Sequence, residues 1–222
     1  MPVTELALLH LKNRRQIPPE TKSALVSGAS AQARFAGYPV HLYSQVEDPS
    51  YIYLLGGWDS VSQHMNEWIP SPTNQNIMSS LADEMEVVWM FHVGVEPASG
   101  ETRSASSPLD APVLAIERCF VGEEKGDFED SMARVKGRME ECTAPRMLRC
   151  GWRIDHAEGR KERHEFVVLS GWEDVEDHLR FLETGSADDK YRKDRMEGVE
   201  LRHARLMEVF SWYVNLTFFM AF

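Results

Sequence analysis

The chain alternates between runs of strand period and runs of helix period, and the order of those runs repeats. Leu6-Ala7-Leu8-Leu9-His10-Leu11 is a short apolar run of strand length. Residues 12–17 are polar, and Pro18-Pro19-Glu20 then opens a helix through Leu25 to about Phe35, because proline suits a first helical turn. Gly37-Tyr38-Pro39 ends it. Residues 40–44 predict a second strand, Glu47-Asp48-Pro49-Ser50 a turn, and residues 51–56 a third strand. Helices over 60–68 and 74–82, parted by Pro70-Ser71-Pro72, lead to a fourth strand over 87–93.

The second half replays this order. Residues 113–120 predict a strand, and 127–142 a helix with Met132, Val135 and Met139 on one stripe. Strands over 147–152 and 166–170 flank a longer polar turn. A helix over 174–182, a charged helix over 188–198 and a strand over 203–209 complete the set. The clearest mark of repetition is Gly57-Trp58-Asp59-Ser60-Val61-Ser62-Gln63-His64, which returns 114 residues later as Gly171-Trp172-Glu173-Asp174-Val175-Glu176-Asp177-His178. Leu6 pairs with Leu114 and Leu42 with Cys150 at an offset of 108, so six extra residues fall in the turn over 156–163. Surface turns accept such insertions at low cost.

Each half therefore reads β-α-β-β-α-β, the ferredoxin-like order. The expected divisions are a first repeat over 1–95, a Pro/Gly/Ser-rich linker over 96–112, a second repeat over 113–209 and an apolar segment over 210–222 docked on the body. Residues 51–55 and 166–169 are almost continuously apolar, as in strands buried on both faces. Helices cover one face of a sheet; the economical cover for the other is the sheet of the other half. The expected fold is thus α+β, two ferredoxin-like repeats packed sheet to sheet as a pseudo-dimeric α+β barrel.

Composition narrows the function. A formal net charge of −11 without a basic patch argues against nucleic acid. The three cysteines, Cys119, Cys142 and Cys150, form neither a disulfide framework nor a zinc pattern and suit a reducing compartment. The beginning of the chain has no basic, then apolar, leader pattern, and the tail falls short of the roughly 20 residues a membrane helix needs. A cytoplasmic protein with no membrane partner is expected.

The element order, the Gly-Gly-Trp-Asp-Ser-Val-Ser-Gln-His ending of the third strand and the Ile69-Pro70-Ser71-Pro72-Thr73-Asn74-Gln75 break together resemble the dimeric α+β barrel superfamily, in particular its antibiotic-biosynthesis-monooxygenase-like branch. The likeness covers nearly the whole chain apart from linker and tail. It implies a tandem form whose halves make an intramolecular pseudo-dimer, with further homodimerisation open. It also implies a choice among cofactor-free monooxygenases, polyketide cyclases, haem-degrading enzymes and proteins without activity. The cyclase branch's catalytic histidine would fall near Thr73 or Ala187. The haem branch's axial histidine lies beyond its second helix, where residues 65–91 and 179–202 carry none. The chain departs from both patterns.

Candidate chemistry centres on His64 and His178. Val61, His64, Met65 and Trp68 form one helical stripe, repeated by Val175, His178, Leu179 and Leu182. Each histidine then faces the sheet, where a proton-transfer role and a structural hydrogen bond are both open, and recurrence favours the second. Tyr43, Tyr53, Trp68, Trp89, Phe91 and His92 of the first half, with His203 of the second, are the candidate lining of an apolar small-molecule pocket; ordinary core packing is the alternative. No metal-ligand cluster or nucleotide-binding motif is present in the sequence pattern. The expectation is a cofactor-independent enzyme of secondary metabolism that oxygenates, cyclises or rearranges a small apolar or aromatic, polyketide-like or terpenoid-like molecule. A non-catalytic ligand-binding or structural barrel, and less so a haem-binding or haem-degrading one, are the alternatives.

Overall fold

The computed structural model describes residues 1–13, 16–98, 104–123, 125–155, 164–185, 190 and 192–210. The expected apolar segment over 210–222 lies, beyond Phe210, outside the described residues. Two compact units result: Met1–Thr102 with Met207–Phe222, and Arg103–Leu206.

In the first unit, β1 (Val3–Leu11) leads through α1 (Pro19–Ala36) to β2 (Val40–Gln45) and β3 (Tyr51–Trp58). A π-helical segment (Gln63–Trp68) and α2 (Pro72–Leu81) precede β4 (Met85–Val93). The strands pair antiparallel in the order β4-β1-β3-β2. Successive side chains on a strand point to opposite faces. Ala7, Leu11, Val40, Leu42, Ile52 and Leu54 consequently pack on Leu25, Ala29 and Ala33 of α1, while Leu6, Tyr43, Tyr53 and Leu55 point away from the helices. Both sets are buried, as the unbroken apolar run of β3 requires. Gly37, at φ 77°, stops α1 in a left-handed turn that a side chain would oppose.

The second unit repeats the plan: β5 (Val113–Val121), α3 (Lys125–Thr143), β6 (Arg149–Trp152), β7 (His164–Trp172), α4 (Val175–Glu183) and β8 (Met196–Phe210), in the order β8-β5-β7-β6. The chain is therefore α+β, built from two ferredoxin-like β-α-β-β-α-β units. A short helical turn, Pro108–Asp110, precedes β5, and its Leu109 is buried.

The pairing corrects part of the expected register. Val3 lies opposite Trp58 and Val113 opposite Trp172, so Leu6 corresponds to Ile116 and not to Leu114. Leu42 and Cys150 do match, opposite Leu54 and Val168. The turn over 156–163, where the extra residues are expected, lies outside the described residues. The expected charged helix over 188–198 is shorter: residues 190, 192 and 193 are helical, and β8 begins at Met196. Its alternating Val199, Leu201 and His203 fit a half-buried strand better than a helix.

Candidate functional site

Glu5 is an acid in the middle of an apolar strand, and its side chain points towards the helices. Its neighbours across the ladder are Gly56 and His92. One carboxylate oxygen, Oε2, accepts hydrogen bonds from Gln32 Nε2 of α1 at 2.7 Å and from the indole Nε1 of Trp58 at 2.8 Å. The other, Oε1, lies 3.9 Å from His64 Nε2. His64 Nδ1 is in turn 2.8 Å from His92 Nε2, a distance that requires one proton between the rings. The His64 ring lies flat on Trp58, with centroids 4.2 Å apart at 8°. Glu5, Trp58, His64 and His92 are all buried. Burial pushes the Glu5 carboxyl above its ordinary value, with the Trp58 bond, the charge of His92 and the Gln32 bond opposing.

Two local features allow this cluster. A Cβ on Gly56 would lie 2.6 Å from Gln32 Nε2 and 3.1 Å from Glu5 Oε2, so a residue without a side chain leaves room for both. The helix after Trp58 is wound in π fashion: Ile69 N–H donates to the His64 carbonyl, five residues back, at 2.9 Å. That winding buries His64 and Trp68 while Met65, expected on the same stripe, is exposed.

The second unit keeps the histidines and loses the acid. His178 Nδ1 is 3.0 Å from His203 Nε2, and the His178 ring stacks on Trp172 at 4.6 Å. Ala115 stands in the place of Glu5 and Ser170 in that of Gly56, and Ala115 lies between Ser170 and His203 across the ladder. Trp172 Nε1 donates to Ser170 Oγ at 2.8 Å. His178 Nε2 is buried and has no hydrogen-bond partner among the described residues. Burial, then His203 and Arg192, pushes the His178 pKa down to about 3, so its imidazole is neutral. Here α4 is an ordinary α-helix that buries His178 and Phe181, and Leu179 is exposed.

A carboxylate reappears two residues along β5. Glu117, in the place of Ala7, accepts from Arg192 Nη1 at 2.9 Å, and both are buried. Arg192 precedes β8 as Leu81 precedes β4, so a buried ion pair replaces an alanine and a leucine. Arg192 also reaches Cys119 Sγ at 3.7 Å. Burial and Glu117 hold the Cys119 thiol well above its usual range, with Arg192 opposing. Burial likewise raises the thiol of Cys150.

The structure thus divides the expected site residues. His64, His92 and Trp68 lie on the helix side of the first sheet, and His178 and His203 on the helix side of the second. Tyr43, Tyr53, Trp89 and Phe91 lie on the opposite face of the first sheet, where Tyr53 and Trp89 are 6.1 Å apart and Trp89 and Phe91 stack at 5.1 Å. Their places in the second unit are taken by Gly151, Val167, Glu200 and Arg202. On that face Arg118 pairs with Glu165 and Glu200 instead. His203 answers His92, and His10 answers Phe120.

Sequence reasoning missed Glu5, Gln32, Glu117 and Arg192. A lone acid inside the apolar run of β1 was a usable signal; Arg192, within a charged stretch, carried none. Among the described residues no group of three or more His, Cys, Asp or Glu side chains is placed to hold a metal ion, and no helix is long and apolar enough to cross a membrane.

No family model and no curated protein matches the chain. Solved structures do. A candidate monooxygenase from Fusobacterium nucleatum subsp. nucleatum matches with a TM-score of 0.64 at 10% identity, covering 95% of this chain and 94% of its own. An anthrone oxidase-like protein matches with a TM-score of 0.63 at 11% identity over 93% and 92%. A candidate chlorite dismutase matches with a TM-score of 0.58 at 11% identity over 93% and 95%. Identities this low speak for the fold alone. Over 93–95% of its length, the chain shares the α+β fold of these structures.

Proposed function

We propose that this chain is an enzyme acting on a small apolar or aromatic metabolite, by oxygenation, cyclisation or rearrangement, with protein groups alone supplying positioning and proton transfer. The aromatic face of the first sheet carries the reading. Tyr43, Tyr53, Trp89 and Phe91 form a ladder of rings with two phenol hydroxyls, and the second unit has none of the four. A feature needed only to hold the fold would recur in both units; this one does not. Stacked rings with a few polar tips suit a planar apolar ligand. The names of the fold neighbours, candidate monooxygenases and an anthrone oxidase-like protein, point the same way.

In this reading His64, rather than His178, is the histidine placed beside an acid, because Glu5 lies 3.9 Å from its Nε2 and Ala115 stands in that place beside His203. His64, from the π-helical segment, and His92, on the strand that carries Phe91, act from behind the sheet as positioning residues. A haem group does not fit the histidines present: His64, His92, His178 and His203 each face another imidazole in sealed space.

Oxygen uptake with anthrone as the probe, without added metal or cofactor, tests the reading. Uptake above the spontaneous rate that falls at least tenfold in Trp89→Ala supports it; no uptake and no binding of anthrone sinks it. The sealing of both histidine pairs favours a second reading, a barrel that binds ligand without turnover. Anthrone binding that depends on Trp89, with no uptake, selects that one.

A further inference from the structure

The second unit holds a cleft of about 420 Å³ beside Trp172, between the end of α3, the end of β7 and α4. Sites for small molecules fall in this size range. The first unit is built from the same elements and shows what occupies that space there. Gly57 and Gly171 are equivalent: a Cβ on the first would meet Tyr38 at 2.6 Å, and a Cβ on the second would meet Arg146 Cδ at 2.8 Å. Arg146 therefore stands in the place of Tyr38. The partners correspond too. The Tyr38 hydroxyl donates to Asp59 at 2.8 Å, and Arg146 Nη2 pairs with Glu173, the counterpart of Asp59, at 2.7 Å.

One residue before the last of each helix the two units differ. Phe35 of α1 sets its ring 6.3 Å from Trp58 and 5.2 Å from Trp68. Cys142, its counterpart in α3, is exposed as Phe35 is and has no ring, while the buried Thr143 answers the buried Ala36. Trp68, which packs on Trp58 at 6.2 Å, is answered by the smaller Phe181, 5.4 Å from Trp172. The second unit has thus lost the volume of aromatic rings over its tryptophan and gained a guanidinium at the edge of the space.

We propose that this cleft binds a small aromatic monocarboxylate, its ring lying where Phe35 lies in the first unit, against Cys142 and Phe181, and its carboxylate on Arg146. A guanidinium presents five N–H donors in a fork that matches a carboxylate. Arg146 is mostly buried, whereas its partner Glu173 is 65% exposed, so the ligand displaces a solvated acid. Exposed pairs of that kind contribute little, and giving one up costs little. Arg180, paired with Asp177 at 2.8 Å, places a second cation on the rim, balanced by its own acid. The proposal concerns the helix side of the second unit and stands or falls apart from the aromatic face of the first.

Calorimetric titration of the full chain with naphthalene-2-carboxylate, and with the neutral naphthalene-2-carboxamide as control, tests it. The acid binds more tightly than the amide. Arg146→Gln weakens the acid about tenfold and leaves the amide unchanged, the size expected for a charge-assisted hydrogen bond. Glu173→Gln tightens the acid by freeing the guanidinium. Cys142→Phe, which refills the space as Phe35 does in the first unit, removes both; should it fail to fold by circular dichroism, the opposed shifts of the Arg146 and Glu173 variants decide. No binding up to the solubility limit of the acid, equal binding in a folded Cys142→Phe variant, or shifts of the same sign in the other two overturns the proposal.

Discussion

The two units solve one packing problem with different charges. In both, a tryptophan at the end of the third strand stacks on a histidine, and that histidine meets a second on the fourth strand. Around this shared frame the first unit buries Glu5 on the frame itself, held by Trp58 and Gln32. The second gives the tryptophan a serine instead and buries its acid two residues away, against Arg192. The sheet faces away from the helices diverge as sharply, aromatic in the first unit and ionic in the second. What recurs is best explained by the fold, and what differs is where chemistry belongs.

The largest test of this contrast is Glu117→Ala. It strands the Arg192 charge in the core and should cost about 3–5 kcal/mol, read from urea unfolding. The double change Glu117→Ala with Arg192→Leu copies the first unit and should recover most of that loss, since an apolar pair often replaces a buried ion pair without penalty. A cost for the double equal to that of the single change would show that the pair is not interchangeable with the Ala7 and Leu81 arrangement.

Glu5→Ala comes next. Trp58 Nε1 and Gln32 Nε2 lose their acceptor, which should cost about 2–3 kcal/mol. Gly56→Ser alone crowds Gln32 and Glu5, yet combined with Glu5→Ala it offers the acceptor that Ser170 offers Trp172. The double variant should therefore be less destabilised than the sum of the singles, a coupling measurable in a double-mutant cycle.

The third test uses pH. The His178 imidazole takes its proton at about 3 in the folded chain and near its ordinary value of 6.5 when unfolded. The unfolded state then binds more protons between those values. Stability from this group is complete above pH 6.5 and is lost as pH falls towards 3. His178→Phe should shrink the loss in melting temperature between pH 7 and pH 4; an unchanged loss would mean that other groups dominate. Glu5 has the opposite sign. Its raised pKa contributes stability below 4.5 that disappears as pH rises through the folded value.

The smallest effect belongs to Tyr38→Phe. It removes an exposed hydrogen bond to Asp59 and should change stability by less than about 1 kcal/mol. Arg146→Met, the corresponding loss in the second unit, should be similarly mild unless the guanidinium is needed for packing over Gly171.

The duplication was legible because hydrophobic period and turn chemistry are local properties. The Trp58 and Trp172 junctions, the strand order and the insertion before β7 could all be read from spacing. The inward direction of His64 and His178 was legible too, from helical period, although the π winding displaced Met65 from that stripe. The match of Leu6 to Leu114 failed because an apolar strand offers many equivalent alignments, and only cross-strand pairing selects one. The histidine partners were hidden for a related reason. His92 and His203 lie on distant strands, and their approach depends on register and on helix docking together.

By itself, then, the sequence determined the α+β class, the two repeats and which faces are apolar, since each follows from periodicities of a few residues. The tertiary structure decided which polar groups meet. It joined Glu5 to His64 across the helix–sheet gap, set Arg192 on Glu117, and turned Tyr53, Trp89 and Phe91 to the other side of the sheet from the histidines. Those outcomes rest on contacts between residues far apart in the chain, where a one-residue slip in register reverses the direction of every side chain.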